Sequence, residues 1–218
     1  MDSNKSQNIT YSVSFTTSSG GLYAREFLAL LPYLESSNRD SLLQREVAEN
    51  KLLQINAEKT RAKVIRQIEG RLKYTFEGFW DNFNTLTATQ QSIKLFFLVL
   101  KDIPLINDLH FNVSLPSWKG STREFDPFAL QMRLDEIGNE HQNVRQWTES
   151  TRKEIIKIYR RMLRQAGFLK GDQLVKPLRS DDFFIPFIQN NEIWFLEACF
   201  LTQSEREKLI NDYKLSNK

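Results

Sequence analysis

A single cysteine, Cys199, stands in 218 residues. One thiol excludes an internal disulfide and fits a reducing, cytoplasmic setting. Its neighbourhood, "WFLEACFL", favours an inert buried thiol over a reactive one. Histidine is almost as scarce. His110 and His141 lie in different halves, and neither has a Cys or His neighbour at ligand spacing, so a zinc site is not expected. The longest uninterrupted apolar run is Leu95 to Leu100, "LFFLVL", far short of the roughly 20 residues that a spanning helix needs. The opening "MDSNKSQNIT" has no apolar h-region, reads as disordered, and gives no secretory signal. Gly20-Gly21 lacks the Gly-Lys-Ser/Thr of a P-loop. Ser150 has no base nearby, and Asp181-Asp182 read better as a helix cap than as cation ligands. These gaps lead us to expect no enzyme activity, no cofactor, no small-molecule substrate and no membrane association.

What is present is the material of an ordinary globular chain, 40% hydrophobic and 26% charged, able to build a core without staples. The 30 Lys and Arg nearly balance the 27 Asp and Glu. Net charge therefore leaves nucleic acid open without demanding it, and the distribution of charge matters more.

Patterning predicts an all-α fold with a small hairpin. "YSVSF" (Tyr11 to Phe15) alternates like a short extended arm. Gly20-Gly21 breaks the chain before a helix "LYAREFLALL", which Pro32 helps to end. Further helices are expected through "DSLLQREVAENKLL" and from Ala57 to about Tyr74. The aromatics Phe76, Phe79, Trp80 and Phe83 are spaced by three and four, which favours core over base stacking. Thr87 and Gln90 form a capping box opening "QQSIKLFFLVLK", and a short helix should begin near Pro104. "LPSWKGST" (Leu115 to Thr122) reads as a domain boundary or linker, dividing a helical subdomain 1–118 from another at 119–218. Asp126 before Pro127 caps the next helix. Gly171-Asp172 between two apolar pieces suggests a tight hairpin near 168–176. Ser204 and Glu207 should cap a last helix.

The basic segment "TESTRKEIIKIYRRMLRQAGFLKG" carries seven Lys and Arg against two Glu. Thr151 and Glu154 fit a capping box, and Gly167 fits the residue after the helix, so the helix should occupy 152–166. At 100° per residue, Ile155, Ile156, Ile158, Tyr159, Met162, Leu163 and Ala166 fall within an arc of about 160°. Lys153, Lys157, Arg160, Arg161 and Arg164 fall within about 100° on the other side, a cationic strip with no acidic residue inside it. Like pairs three and four apart repel by a few tenths of a kcal/mol each, so such a face gains from a polyanion laid on it. The arginine fork suits phosphate oxygens. The helix from Ala57 to Tyr74 repeats the design: Val64, Ile65, Ile68 and Leu72 are apolar, and Lys59, Lys63, Arg66 and Lys73 cluster opposite. A basic helix followed by a hairpin is also the ending of a winged-helix unit. Its groove-facing side would offer Lys and Arg without Asn or Gln, which means phosphate contact without base readout. A solvated face, or a face docking acidic proteins, stays open beside the nucleic-acid reading.

Several segments together resemble the BrxA family. "YSVSFTTSSGGLYAREFLAL" is similar to that family's opening, with Ser14, Phe15, Thr16, Gly21, Leu22 and Glu26 at the matching places. "ENKLLQINAEKTRAKVIRQIEGRL" resembles its next piece, here with Lys51 inserted after Asn50. "TESTRKEIIKIYRRMLRQAGFL" resembles its Ser-Thr-Arg-Lys opening and Met-Leu-x-x-Ala-Gly ending. The likeness runs in order from Tyr11 to Pro177 and leaves the last forty residues unmatched. It implies a component of BREX bacteriophage-defence systems and an all-helical fold like the antitermination protein NusB. It also implies a non-enzymatic accessory role with affinity for double-stranded DNA, beside other BREX proteins. Two rivals follow: an interaction subunit whose basic strips dock acidic partner surfaces, and RNA binding by analogy with NusB.

Overall fold

The computed structural model describes residues 11–16, 21–178 and 180–216. The expected disorder of the first ten residues, and Gly20, lie outside these. The fold is all-α with one two-stranded hairpin. Its helices are α1 (Ala24–Leu34), α2 (Arg39–Glu49), α3 (Glu58–Leu72), α4 (Ala88–Asp102), α5 (Pro104–Leu109), α6 (Leu115–Lys119), α7 (Pro127–Glu140), α8 (Gln142–Arg145), α9 (Glu149–Gln165), α10 (Ile185–Gln189), α11 (Trp194–Ala198) and α12 (Gln203–Ser216).

The organising element is α4. Every residue from Gln91 to Leu100 is buried, the polar Gln91, Ser92 and Lys94 included. Its capping box forms as read from sequence: Gln90 N–H donates to Thr87 Oγ1 at 3.3 Å, and Thr87 N–H donates to Gln90 Oε1 at 3.0 Å. Around α4 pack α1, α3, α5 and α9. The two helices carrying the basic strips, α3 and α9, therefore both lean on one central rod. The aromatic group is core: Phe79 and Phe83 are 1% exposed and pack edge-on to Trp80.

Four local expectations are corrected and one is refined. Pro32 lies inside α1, which ends close by at Leu34. It is exposed and near the last turn, where its missing N–H faces water and the helix continues to Leu34. The Tyr11–Phe15 arm turns into a 3₁₀ turn at Ser14–Thr16, with Tyr11 and Phe15 buried. The expected linker contains α6, reached from α5 through a π-helical turn at His110–Ser114, because Leu115 and Trp118 are buried. One apolar cluster includes residues on both sides of that segment, from Tyr11 to Leu209. The cap of α12 is Thr202 with Glu205, two residues before the expected Ser204 and Glu207: Glu205 N–H donates to Thr202 Oγ1 at 3.4 Å and Thr202 N–H to Glu205 Oε2 at 2.9 Å. Asp181 and Asp182 are not the cap expected of them: the cap position is Ser180, and both lie inside the first turn of a short 3₁₀ helix.

Candidate nucleic-acid interface

The basic helix begins earlier than its sequence suggests. Thr148 is extended, and its Oγ1 accepts from Thr151 N–H at 3.2 Å, so α9 starts at Glu149. Thr151 is already inside the first turn and cannot be the cap. The other end is as expected. Gly167 takes a left-handed φ of 75°, Phe168 N–H donates to Leu163 O at 2.8 Å and Gly167 N–H to Arg164 O at 3.1 Å. That paired closure is a Schellman ending, which needs the glycine.

Directly after it, β1 (Leu169–Lys170) and β2 (Gln173–Leu174) pair around Gly171-Asp172, Leu169 opposite Leu174 and Lys170 opposite Gln173. The stretch 123–125 lies along β2: Leu174 N–H donates to Arg123 O at 2.7 Å and Phe125 N–H to Asp172 O at 2.8 Å. The hairpin is thus fixed against α9 and does not hang free.

The apolar side of α9 is buried as predicted, including Ile155, Ile158, Tyr159, Met162 and Leu163. Lys153, Lys157 and Arg164 are exposed on the outward face; Arg160 and Arg161 are half-buried there. The expectation of a strip free of carboxylates is corrected. Lys153 Nζ lies 2.6 Å from Glu149, and Lys157 Nζ 3.2 Å from Glu154. The hydrogen bond from Lys153 holds the Glu149 carboxyl below its usual range. Asp172, at the hairpin turn, pairs with Arg160 and stands 3.9 Å from Arg164, whose Nη2 also donates to Gly171 O at 3.4 Å. The early start of α9 brings Glu149 in, and the hairpin folds Asp172 over the helix. Among the described residues, Glu149, Glu154 and Asp172 stand against this face, which Lys170 of β1 extends. These pairs are on the surface, where such contacts contribute about 0–1 kcal/mol and exchange readily for another anion.

On α3, Lys59 and Arg66 are exposed and Lys63 is half-buried. Lys73, just past its end, is exposed, 3.9 Å from Asp102 and 4.8 Å over the Tyr74 ring. Arg66 borders a polar hollow with Ser12, Ser14, Gln67 and Asp102.

Gly21 to Tyr23 join the two helices. Buried Arg71 of α3 donates to Leu22 O at 3.3 Å and to Gly21 O at 3.1 Å. Leu22 N–H donates to Gln165 Oε1 of α9 at 3.3 Å. Burial pushes the Tyr23 phenol up, opposed by the charges of Arg71 and Arg161. So α3 and α9 converge at their C-terminal ends, while Lys59 lies about 18 Å back along α3 from Arg71.

Three arginines missed as structural groups are buried. Arg61 donates to the carbonyls of Val47 (2.8 Å), Ile55 (2.6 Å) and Asn56 (3.1 Å). Arg152 donates to Asp135 (2.6 Å) and Val144 O (3.2 Å). Burial lowers Arg71 to about 10, which leaves it cationic at neutral pH. His110 is also fully buried. Its Nε2 faces Ala198 O at 2.8 Å, its Nδ1 faces Tyr159 Oη at 2.9 Å, and Tyr159 Oη lies 2.7 Å from Ser114 Oγ. Among the described residues no His, Cys, Asp and Glu cluster could hold a metal ion, and no helix is long and apolar enough to cross a membrane.

The BrxA family model matches residues 9–190. The chain belongs to the BrxA family. Membership associates it with BREX phage defence. The match contains α1–α10 and the hairpin, and leaves α11 and α12 beyond it. A crystal structure of an uncharacterized protein from Magnetospirillum magneticum has the same fold, with a TM-score of 0.67 at 18% identity, covering 87% of this chain and 97% of that one. No curated protein matches the chain.

Proposed function

We propose that this BrxA-family chain is a non-enzymatic, cytoplasmic accessory protein of BREX defence that holds double-stranded DNA by its phosphates, with little sequence preference. The observation that carries this is the outward face of α9. Among the described residues, Lys153, Lys157, Arg160, Arg161 and Arg164, with Lys170 of the hairpin beside them, gather on this face, with Glu149, Glu154 and Asp172 at its edges. Lys59, Lys63, Arg66 and Lys73 form a second, lesser contact. The strip on α9 contains no base-reading Asn or Gln, so its contacts to the backbone position the duplex without specifying sequence.

Asp172 modulates the site. It holds Arg160 and stands beside Arg164, so a phosphate must displace it. Gel shift with a random duplex should show log K falling with log salt at a slope near −3.6, for about four phosphates neutralised. Arg160→Glu with Arg164→Glu should flatten the slope by about 1.8 while circular dichroism stays unchanged. Asp172→Asn should tighten binding. Binding untouched by the double reversal removes the assignment. Preference for duplex RNA in competition, or capture of neighbouring defence proteins without any shift, would favour the two rival readings.

A further inference from the structure

The hollow beside Arg66 has a volume of 230 Å³. Pockets for whole drug-sized ligands run from about 300 to 1,000 Å³, so this one admits a single base-sized group. Phe15, Ile103 and Pro104 give it an apolar lining against which a flat ring can lie.

Its polar side chains are unengaged. Among the described residues, the side chains of Arg66 and Gln67 make no hydrogen bond or ion pair. Asp102, only 17% exposed, accepts no hydrogen bond there either. Arg71 Nε stands 4.0 Å from its Oδ2 and Lys73 Nζ 3.9 Å from its Oδ1, both beyond hydrogen-bond reach. Arg71 Nε is itself buried without a partner. The two cations keep a carboxylate charged at the edge of the hollow and leave its lone pairs unmet. Gly70 adds a second observation. It lies inside α3, where glycine is the least favourable residue after proline. Packing does not demand it: a Cβ there would meet only Asp102 Oδ1, at 3.7 Å, an ordinary contact. Its missing side chain keeps the approach to Asp102 open.

We infer that this hollow binds an unpaired guanine base, with the phosphate of its nucleotide on Arg66. Guanine carries N1–H and N2–H side by side on one edge, the pair of donors that a lone carboxylate needs. Gln67 offers an amide N–H for O6 on the same edge. Adenine instead turns its N1 acceptor toward the carboxylate and leaves it unsatisfied. The Arg66 fork suits the phosphate oxygens. Base pairing would occupy the same edge, so the ligand is a free guanine nucleotide or a guanine in a single strand. Duplex binding by α9 is not needed for it.

Isothermal titration calorimetry on the full chain tests it. Guanosine monophosphate should bind with a Kd below about 1 mM. Adenosine monophosphate should bind at least about tenfold more weakly, and inosine monophosphate, which lacks the N2 amine, should fall between them. Asp102→Asn should remove that discrimination. Gly70→Leu fills the hollow and favours the helix, so it should abolish nucleotide binding without lowering the thermal midpoint. It should also leave the salt slope of duplex binding unchanged, so the two sites fail separately. An oligothymidine carrying one guanine, compared with plain oligothymidine, identifies the source. Tighter binding of that strand than of the monophosphate points to single-stranded nucleic acid, and the reverse to free nucleotide. Equal binding of the guanosine and adenosine monophosphates and inorganic phosphate overturns the inference. So does a Gly70→Leu chain that binds the guanine nucleotide as well as the parent, or no binding at about 1 mM.

Discussion

At the scale of single residues, arginine has two uses in this chain. Arg66 and Arg164 are exposed on the outward faces of α3 and α9, and Arg160 there pairs with Asp172. Arg61, Arg71 and Arg152 are inside, holding backbone carbonyls or a carboxylate. Part of that division was legible. Arg61, Val64, Ile68 and Arg71 are spaced by three, four and three, the rhythm of a buried stripe, a signal that places both missed arginines on the core side. The acceptors of Arg71 gave no such signal, because the carbonyls of Gly21 and Leu22 come from a segment about fifty residues away. His110 carries a prediction of its own. Burial lowers its pKa to about 4, while the unfolded chain protonates it near 6.5. Between those values the unfolded state binds the proton and the folded state does not, so stability is whole above pH 6.5 and lost as pH falls toward 4. The expected loss is about 3 kcal/mol, at 1.36 kcal/mol per unit. Urea titrations at pH 7 and 4.5 should show it, and His110→Gln should lack that part of the fall.

At the scale of elements, the ends of α9 decide how much of its face is cationic. An N-terminus at Thr148 instead of Thr151 brings Glu149 into the first turn, beside Lys153. Both threonines have a cap-like sequence around them, and only the extended backbone at Thr148 selects between them. Thr148→Ala should cost about 1 kcal/mol, whereas Thr151→Ala should cost much less; chemical denaturation distinguishes them. The other end was fully legible, since only glycine adopts its left-handed turn freely. Gly167→Ala should cost about 2 kcal/mol. Its added carbon would also lie 3.0 Å from Thr89 Cγ2 and 3.3 Å from Pro177 Cβ. A midpoint unchanged in urea would contradict this account of the turn.

At the scale of the whole molecule, one apolar cluster runs from Tyr11 to Leu209, with α4 at its centre. Unfolding should therefore follow a single transition, with far-ultraviolet and near-ultraviolet signals coincident; two separated transitions would instead mark independent subdomains. The sequence by itself determined the longer helices, the caps at Thr87, Asp126 and Gly167, the hairpin turn and the two amphipathic rods, because periodicity and capping act within a few residues along the chain. Tertiary structure alone decided which cations stay open to solvent. Asp172 reaches Arg160 from a turn twelve residues later, Gly21 to Tyr23 tie α3 to α9, and His110 meets a carbonyl 88 residues away. Charge interaction and desolvation depend on distance and burial in space, and chain folding sets both.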